Sequence, residues 1–329
     1  MPTTARMRSR SACSAACSTP GNCSAAVIMS AAPGLQALIE AMRSVYGEPG
    51  GQRAMHRRGY CAVGFFAPHP DIARIVDTPL LRDGPVPATV RFSVGGEADA
   101  SEKSRSLRGM AVRLHGRPQD CDLVLISEPA FYAATPVSFL GYLQARVPDP
   151  ATGRPDPRRL AAHDQAFPEA ARHAARLAAH PAPASYATTP YFSNHALLFT
   201  DSGGKTRAVR LLVEPVAGVQ YLSPWQEQRL PDAFLEGEMD ERLLRGPIRF
   251  RLLAQLQGRD DPADDPSAEW QGAGKVPLGM LLISALADDD CDAMVFTPTR
   301  LPPGIAPGDD PILRARAEIY ALASASRRR

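Results

Sequence analysis

Short apolar runs of period two dominate the chain. Cys61 to Phe66, Ala88 to Val94, Met110 to His115, Cys121 to Ile126, Ala196 to Thr200, Ala208 to Val213, Ile248 to Leu256 and Leu278 to Leu286 are apolar, β-branched or alternating, and each predicts a strand. The clearest hairpin joins Phe199 to Val209 through Asp201, Ser202, Gly203 and Gly204. Many antiparallel strands at close spacing predict a barrel, because closure removes the edges an open sheet would expose. Helical spacing appears first at Leu35, Leu38, Ile39, Met42 and Tyr46, which predicts a packing helix over Pro33 to Tyr46 stopped by Gly47 and Pro49. Further helices are expected over Pro136 to Val147, Arg158 to His180 and Pro231 to Arg245, the second broken or kinked at Pro168. Pro and Gly are spread evenly, with no low-complexity linker. The pattern predicts one α+β domain from about residue 30 to the end, with helices packed on an antiparallel β-barrel.

Composition narrows the partners. The chain has 329 residues, 44% hydrophobic and 22% charged, enough for a sizeable core. A formal net charge of +2 gives no case for nucleic acid or a membrane surface as principal partner. Residues 1–29 are rich in Ser, Ala and Arg and carry three of the six cysteines, Cys13, Cys17 and Cys23. No acidic residue precedes Glu40, and the best apolar run there, Ala25 to Met29, is too short for a secretory signal. That segment reads as a disordered extension upstream of a start at Met29, a transit peptide being the other reading. Cys61, Cys121 and Cys291 are scattered singly without zinc-type spacing, so a cytosolic, reduced protein is the simpler expectation.

Candidate chemistry gathers at the C-terminal end. Asp309 to Arg329 predicts a helix: Pro311 suits its first turn, the aspartates suit the positive end of its dipole, and Ala, Leu and Arg fill its length. Arg316 and Tyr320 then lie one turn apart on one face. A guanidinium beside a phenol favours the phenolate, an anionic ligand suited to ferric iron; the same spacing also serves an ordinary surface cation–π pair. His163, His173 and His180 fall at spacings compatible with one helix face, but without a carboxylate pattern they read as a solvated face rather than a metal site. The chain contains no P-loop, G-x-G-x-x-G or H-E-x-x-H, so nothing calls for a nucleotide.

Read with its flank, Phe296 to Tyr320 (FTPTRLPPGIAPGDDPILRARAEIY) resembles the haem-ligating segment of haem catalases: F-x-P, then P-P-G-I, an acidic residue, Leu or Met, and R-x-x-x-Y. The resemblance implies haem b with Tyr320 as iron ligand, as in haem catalases, Arg316 behind it, and Arg327 on a propionate. Gln52-Arg53-Ala54-Met55-His56 resembles the catalase arm that supplies the distal histidine, implying His56 as the proton-transferring residue and Arg53 on a propionate. Val90 to Ser93 (VRFS) and Arg105 to Ala111 (RSLRGMA) resemble the family's strand pair, which implies Arg91 on a propionate and Ser93 bonded to His56. His195, in YFSNHALLF, resembles a Ser-His pair of the family read as structural.

The departures set the expected activity. Catalases carry an asparagine pair after D-L-V-G, the second of which polarises the peroxide; here Asp122-Leu-Val continues as Leu125, Ile126, Ser127, so Ser127 is expected in that catalytic place. Met55 stands where valine is usual and Arg57 where a small residue is, and both are expected to change access. The sequence stops soon after the Tyr320 helix, without the wrapping and helical segments of ordinary catalases, and so is most similar to the small catalase-related peroxidases. That implies reduction of hydrogen peroxide or organic hydroperoxides with a small organic donor, weak catalase activity at most, no NADPH, and a cytoplasmic protein compatible with homo-oligomers. An allene-oxide-synthase-like isomerase and a non-catalytic haem-binding protein are the alternatives.

Overall fold

The structure is a computed structural model describing residues 34–47, 53, 55–96, 100–287 and 291–327, with the side chains of Asp292 and of residues 323–327 excepted. The expected extension at 1–29 and Gln52 lie outside the described residues. Among the described residues there are ten strands: β1 (Gly59–Pro68), β2 (Val86–Val94), β3 (Arg108–Leu114), β4 (Cys121–Ile126), β5 (Tyr191–Phe192), β6 (Leu197–Thr200), β7 (Thr206–Pro215), β8 (Ile248–Leu256), β9 (Lys275–Leu286) and β10 (Ile305–Pro307). The helices are α1 (Leu35–Tyr46), α2 (Pro136–Ala145), α3 (Pro157–Ala166), α4 (Pro168–Ala178), α5 (Pro224–Arg229), α6 (Leu235–Leu243) and α7 (Pro311–Arg327).

Neighbouring strands run β7-β5-β4-β3-β2-β1-β9-β8, and β8 pairs back onto β7, closing an eight-stranded antiparallel barrel. β6 and β10 extend from β7 outside that ring. The alternation in the sequence decides what enters the barrel. Val90, Phe92 and Val94 on β2, Met110, Val112 and Leu114 on β3, and Cys121, Leu123 and Leu125 on β4 belong to its core, where Phe92 stacks on Tyr186 at 5.2 Å. Burying each such side chain contributes roughly 1.5–3 kcal/mol. The intervening residues Arg91 and Ser93, Gly109 and Ala111, and Val124 and Ile126 therefore point outward, toward a second apolar cluster contributed largely by α1, α2 and α7. The functional site lies between these two layers.

Pro168 divides the expected long helix into α3 and α4. The histidines on this unit do not form a solvated face. His163 and His173 are buried, their ring nitrogens facing the Ser138 and Ala130 carbonyls at 3.4 and 3.3 Å, because the two short helices pack their histidine side onto α2 and the segment after β4. The expectation of unpaired thiols is also corrected: Cys61 on β1 and Cys291 form a disulfide across a sequence separation of 230, brought together by the pairing of β9 with β1. Cys121 is free and buried. No helix among the described residues is long and apolar enough to cross a membrane.

Candidate active site

One outward-facing cavity is lined by Met42, Met55, His56, Arg53, Arg91 and Ser93 on one side, and by Arg316, Ile319 and Tyr320 on the other. β2 and β3 form its floor, and three hydrogen bonds hold the histidine and its neighbour there. His56 Nδ1 lies 3.1 Å from Ser93 Oγ, and Arg91 donates to the carbonyls of His56 and Arg57 at 3.0 and 3.1 Å. His56 has φ of 54°, a left-handed conformation costing on the order of 1 kcal/mol that the Arg91 grip maintains. Gly109 makes room for this pair: a Cβ there would come 2.5 Å from Ser93 Oγ and 3.2 Å from His56 Nδ1. Burial, followed by the fields of Arg91, Arg316, Arg53 and Arg108, pushes His56 down to about 4, so the ring is neutral and ready to accept a proton.

The opposite wall is built from distant pieces of sequence. Gly304 of the P-P-G-I stretch has φ of 89° and passes so close to Asp77 that a Cβ would lie 2.1 Å from its carbonyl oxygen. That turn lays β10 against β6 and delivers α7 beside the loop carrying His195. Asp310 caps α7 by accepting from the Ile312 and Leu313 amides at 2.8 and 3.2 Å, and its other carboxylate oxygen binds His195 Nδ1. Burial, opposed by Asp310 and reinforced by Arg316, lowers the pKa of His195, leaving a neutral ring whose Nε2 accepts from Arg316 Nη1 at 2.7 Å. Arg316 Nη2 in turn donates to Tyr320 Oη at 2.8 Å. Burial works against the Arg316 charge, but Tyr320, Tyr132 and Asp310 outweigh it and hold the guanidinium above its ordinary pKa. Arg316 is thus buried and oriented, with the half-buried Tyr320 against it, rather than half of a surface pair, and the guanidinium also lies 5.6 Å from the Phe131 ring centre.

The cavity brings together His56, Ser93, Arg53, Arg91, Arg316 and Tyr320. Arg327 lies on α7, its side chain outside the described residues. Ser127 is not among the lining residues, a correction that follows from strand parity. Residue 126 faces outward with Val124, so Ile126 lines the cavity, whereas Ser127 turns into a separate cavity with Glu128, His180 and Tyr221. Its hydroxyl accepts from the Arg108 amide at 3.0 Å. Met55 lines the cavity as expected, but Arg57 turns away and donates to the Tyr46, Gly47 and Arg53 carbonyls, fastening the arm to the end of α1. The sequence reading did not connect His195 and Asp310 to Arg316; the NHALLF and GDDP stretches carried a signal only through resemblance.

A family model described as catalase matches residues 35–236. A catalase-related peroxidase of Synechococcus elongatus is 32% identical over 298 residues, covering 89% of this chain and 88% of that protein. The chain belongs to the catalase family. A second catalase-related peroxidase, from Mycolicibacterium paratuberculosis, is 34% identical and covers 86% of the chain and 91% of its own length. Full catalases are longer: that of Pseudomonas aeruginosa is 26% identical, and the match spans 56% of it. Among solved structures, a fungal catalase and catalase A of Saccharomyces cerevisiae both superpose with a TM-score of 0.76 at 20% identity, over 84% of this chain and 59% and 61% of theirs. Those likenesses bear on the fold. The family-model match ends before α7, so the Tyr320 side of this catalase-family site rests on its geometry.

Proposed function

We propose that this catalase-family chain is a haem b peroxidase that reduces hydroperoxides at the expense of a small organic donor. The observation that carries the reading is that Tyr320, held by the buried Arg316, and His56, held by Ser93, line one cavity. The residues fit the group: Tyr320 supplies an anionic oxygen, Arg53 and Arg91 supply guanidiniums suited to the propionates, and the remaining wall of Met42, Val124, Ile126, Phe296 and Ile319 suits an apolar macrocycle. Arg327, one helix turn and more beyond Tyr320, is assigned to the same edge by resemblance. Haem held by these residues would supply the redox chemistry that couples peroxide reduction to oxidation of a donor.

The protein's share of the chemistry is proton handling and orientation. His56, neutral above about pH 4 in the cofactor-free cavity, accepts the hydroperoxide proton and returns it to the departing oxygen. Ser93 fixes the ring by its 3.1 Å contact. Arg316, kept charged between His195 and Tyr320, orients the Tyr320 oxygen by donating to it. Catalases set an amide donor beside the distal histidine, whereas this cavity presents Ile126. An apolar side chain solvates an alkyl hydroperoxide and gives hydrogen peroxide no second donor, which favours organic hydroperoxides and disfavours oxygen release. Rearrangement of a hydroperoxide would use the same apolar wall; it is distinguished by a product formed without consumption of donor.

The test is optical. Protein reconstituted with ferric haem should show a phenolate-ligated ferric spectrum, and Tyr320→Phe should fold normally while binding haem weakly or with a different spectrum. An unchanged ferric spectrum in that variant overturns the assignment.

A further inference from the structure

The disulfide joins two parts of the cofactor edge. Cys61 lies on β1 opposite Arg91 on β2, and its carbonyl accepts from the Ala287 amide at 2.8 Å. Cys291 begins the segment that leads to Val295 and Phe296 in the cavity wall. Arg53 Nη2 donates to the carbonyls of Cys291 and Met294 at 3.3 and 2.7 Å, and its guanidinium lies 6.0 Å from the Phe296 ring centre. One covalent bond therefore ties the strand beside Arg91 to the short segment that orients Arg53.

Among the described residues, the wall's other fastenings begin after that segment. Val295 accepts from Arg113 at 2.5 Å and from Arg300 at 3.3 Å, and the Thr297 amide donates to Asp122 at 2.9 Å. These contacts attach 295–300 to β3 and β4 without help from the disulfide. Residues 291–294 depend on the disulfide, on the Cys291 amide facing Cys61 Sγ at 3.1 Å, and on Arg53 itself. Breaking the bond should consequently loosen four residues and one arginine while leaving the barrel closed.

We propose that Cys61 and Cys291 are positioning residues for the cofactor: the closed disulfide sets Arg53 on the propionate edge, and its reduction speeds haem release. The proposal rests on the haem reading of this cavity. Reduction is a two-electron step in which the disulfide takes up two electrons and two protons to give two thiols; with a water-soluble phosphine as reductant, the phosphine leaves as its oxide, with oxygen from water. Cys61 is partly exposed, giving the reductant a sulfur to attack.

Two measurements test it. In the first, ferric haem transfer from the loaded protein to excess apomyoglobin is followed optically, before and after phosphine, in wild type, Cys61→Ser and Arg53→Ala. Reduction or Cys61→Ser should speed release about ten-fold, the effect of losing one charge-assisted hydrogen bond. In Arg53→Ala release should already be fast, and reduction should add less than about two-fold, because the bond's effect runs through Arg53. In the second, amide exchange of the cofactor-free protein should accelerate on reduction at residues 291–294 and not in β2 to β4. An equal acceleration of haem release with and without Arg53, or none at all, overturns the proposal, as does exchange that rises throughout the barrel. Failure of the wild type to bind haem overturns the cofactor reading instead, and the exchange measurement still decides whether the disulfide holds 291–294.

Discussion

Gly109→Ala would test how the distal histidine is held. The added Cβ meets Ser93 Oγ at 2.5 Å and His56 Nδ1 at 3.2 Å, while the existing contact between those two atoms is 3.1 Å. Both cannot stay in place. The Ser93 hydroxyl is the easier to move, since it can rotate about χ1, and rotation breaks its bond to His56. Loss of that bond costs about 0.5–1.5 kcal/mol, and residual crowding against the ring adds a part of the roughly 1–3 kcal/mol typical of an overpacked site. A destabilisation of about 2 kcal/mol is expected, with donor oxidation slowed about ten-fold because His56 loses its orientation. Ser93→Ala removes the same hydroxyl without crowding, so it should slow the enzyme by a similar factor and cost only about 1 kcal/mol. The decisive assay is the double variant. With the hydroxyl already gone, alanine at 109 has lost its closest obstacle, so urea unfolding should show the two substitutions costing at least about 1 kcal/mol less together than the sum of each alone. Additive costs would mean that Gly109 is required by the strand and not by the Ser93–His56 pair, and the account of how the histidine is oriented would fall.

The remaining predictions concern the same cavity. Ile126→Asn should raise oxygen release from hydrogen peroxide relative to donor oxidation, because it places a hydrogen-bond donor on the cavity side of β4. Ser127→Asn should leave that ratio unmoved, since residue 127 faces the other cavity; the reverse result would contradict the strand parity. Burial pushes His173 down to about 4, so the unfolded chain takes up its proton before the folded one does. The stability this provides is present above about pH 6.5 and is lost as pH falls toward about 4, so cofactor-free wild type should lose more stability over that interval than His173→Asn, by urea midpoints. Equal losses would place the source of acid sensitivity elsewhere.

Much of the site was legible because strand alternation makes neighbouring residues face opposite sides. V-R-F-S alone says that Val90 and Phe92 share one face while Arg91 and Ser93 share the other, and the barrel confirms which face is core. The same rule was available for Ile126 and Ser127. There the resemblance pointed to Ser127, whereas the alternation places Ile126 on the cavity side. The helix spacing of Arg316 and Tyr320 was equally readable, but the burial of Arg316 was not, because it depends on His195 and Phe131 arriving from other elements.

The sequence by itself determined the periodicities, and with them the strands, most of the helices, the break at Pro168 and the faces on which the chemistry-bearing residues lie. These are local properties, fixed by side-chain direction within a few residues. Tertiary structure alone decided which faces meet. It closed β8 onto β7, packed α7 over β2 to β4, buried His163 and His173, and brought Cys61 to Cys291 and Asp310 to His195. Such contacts join separate elements of the chain, and no local spacing encodes them, because each depends on how strands pair and helices pack.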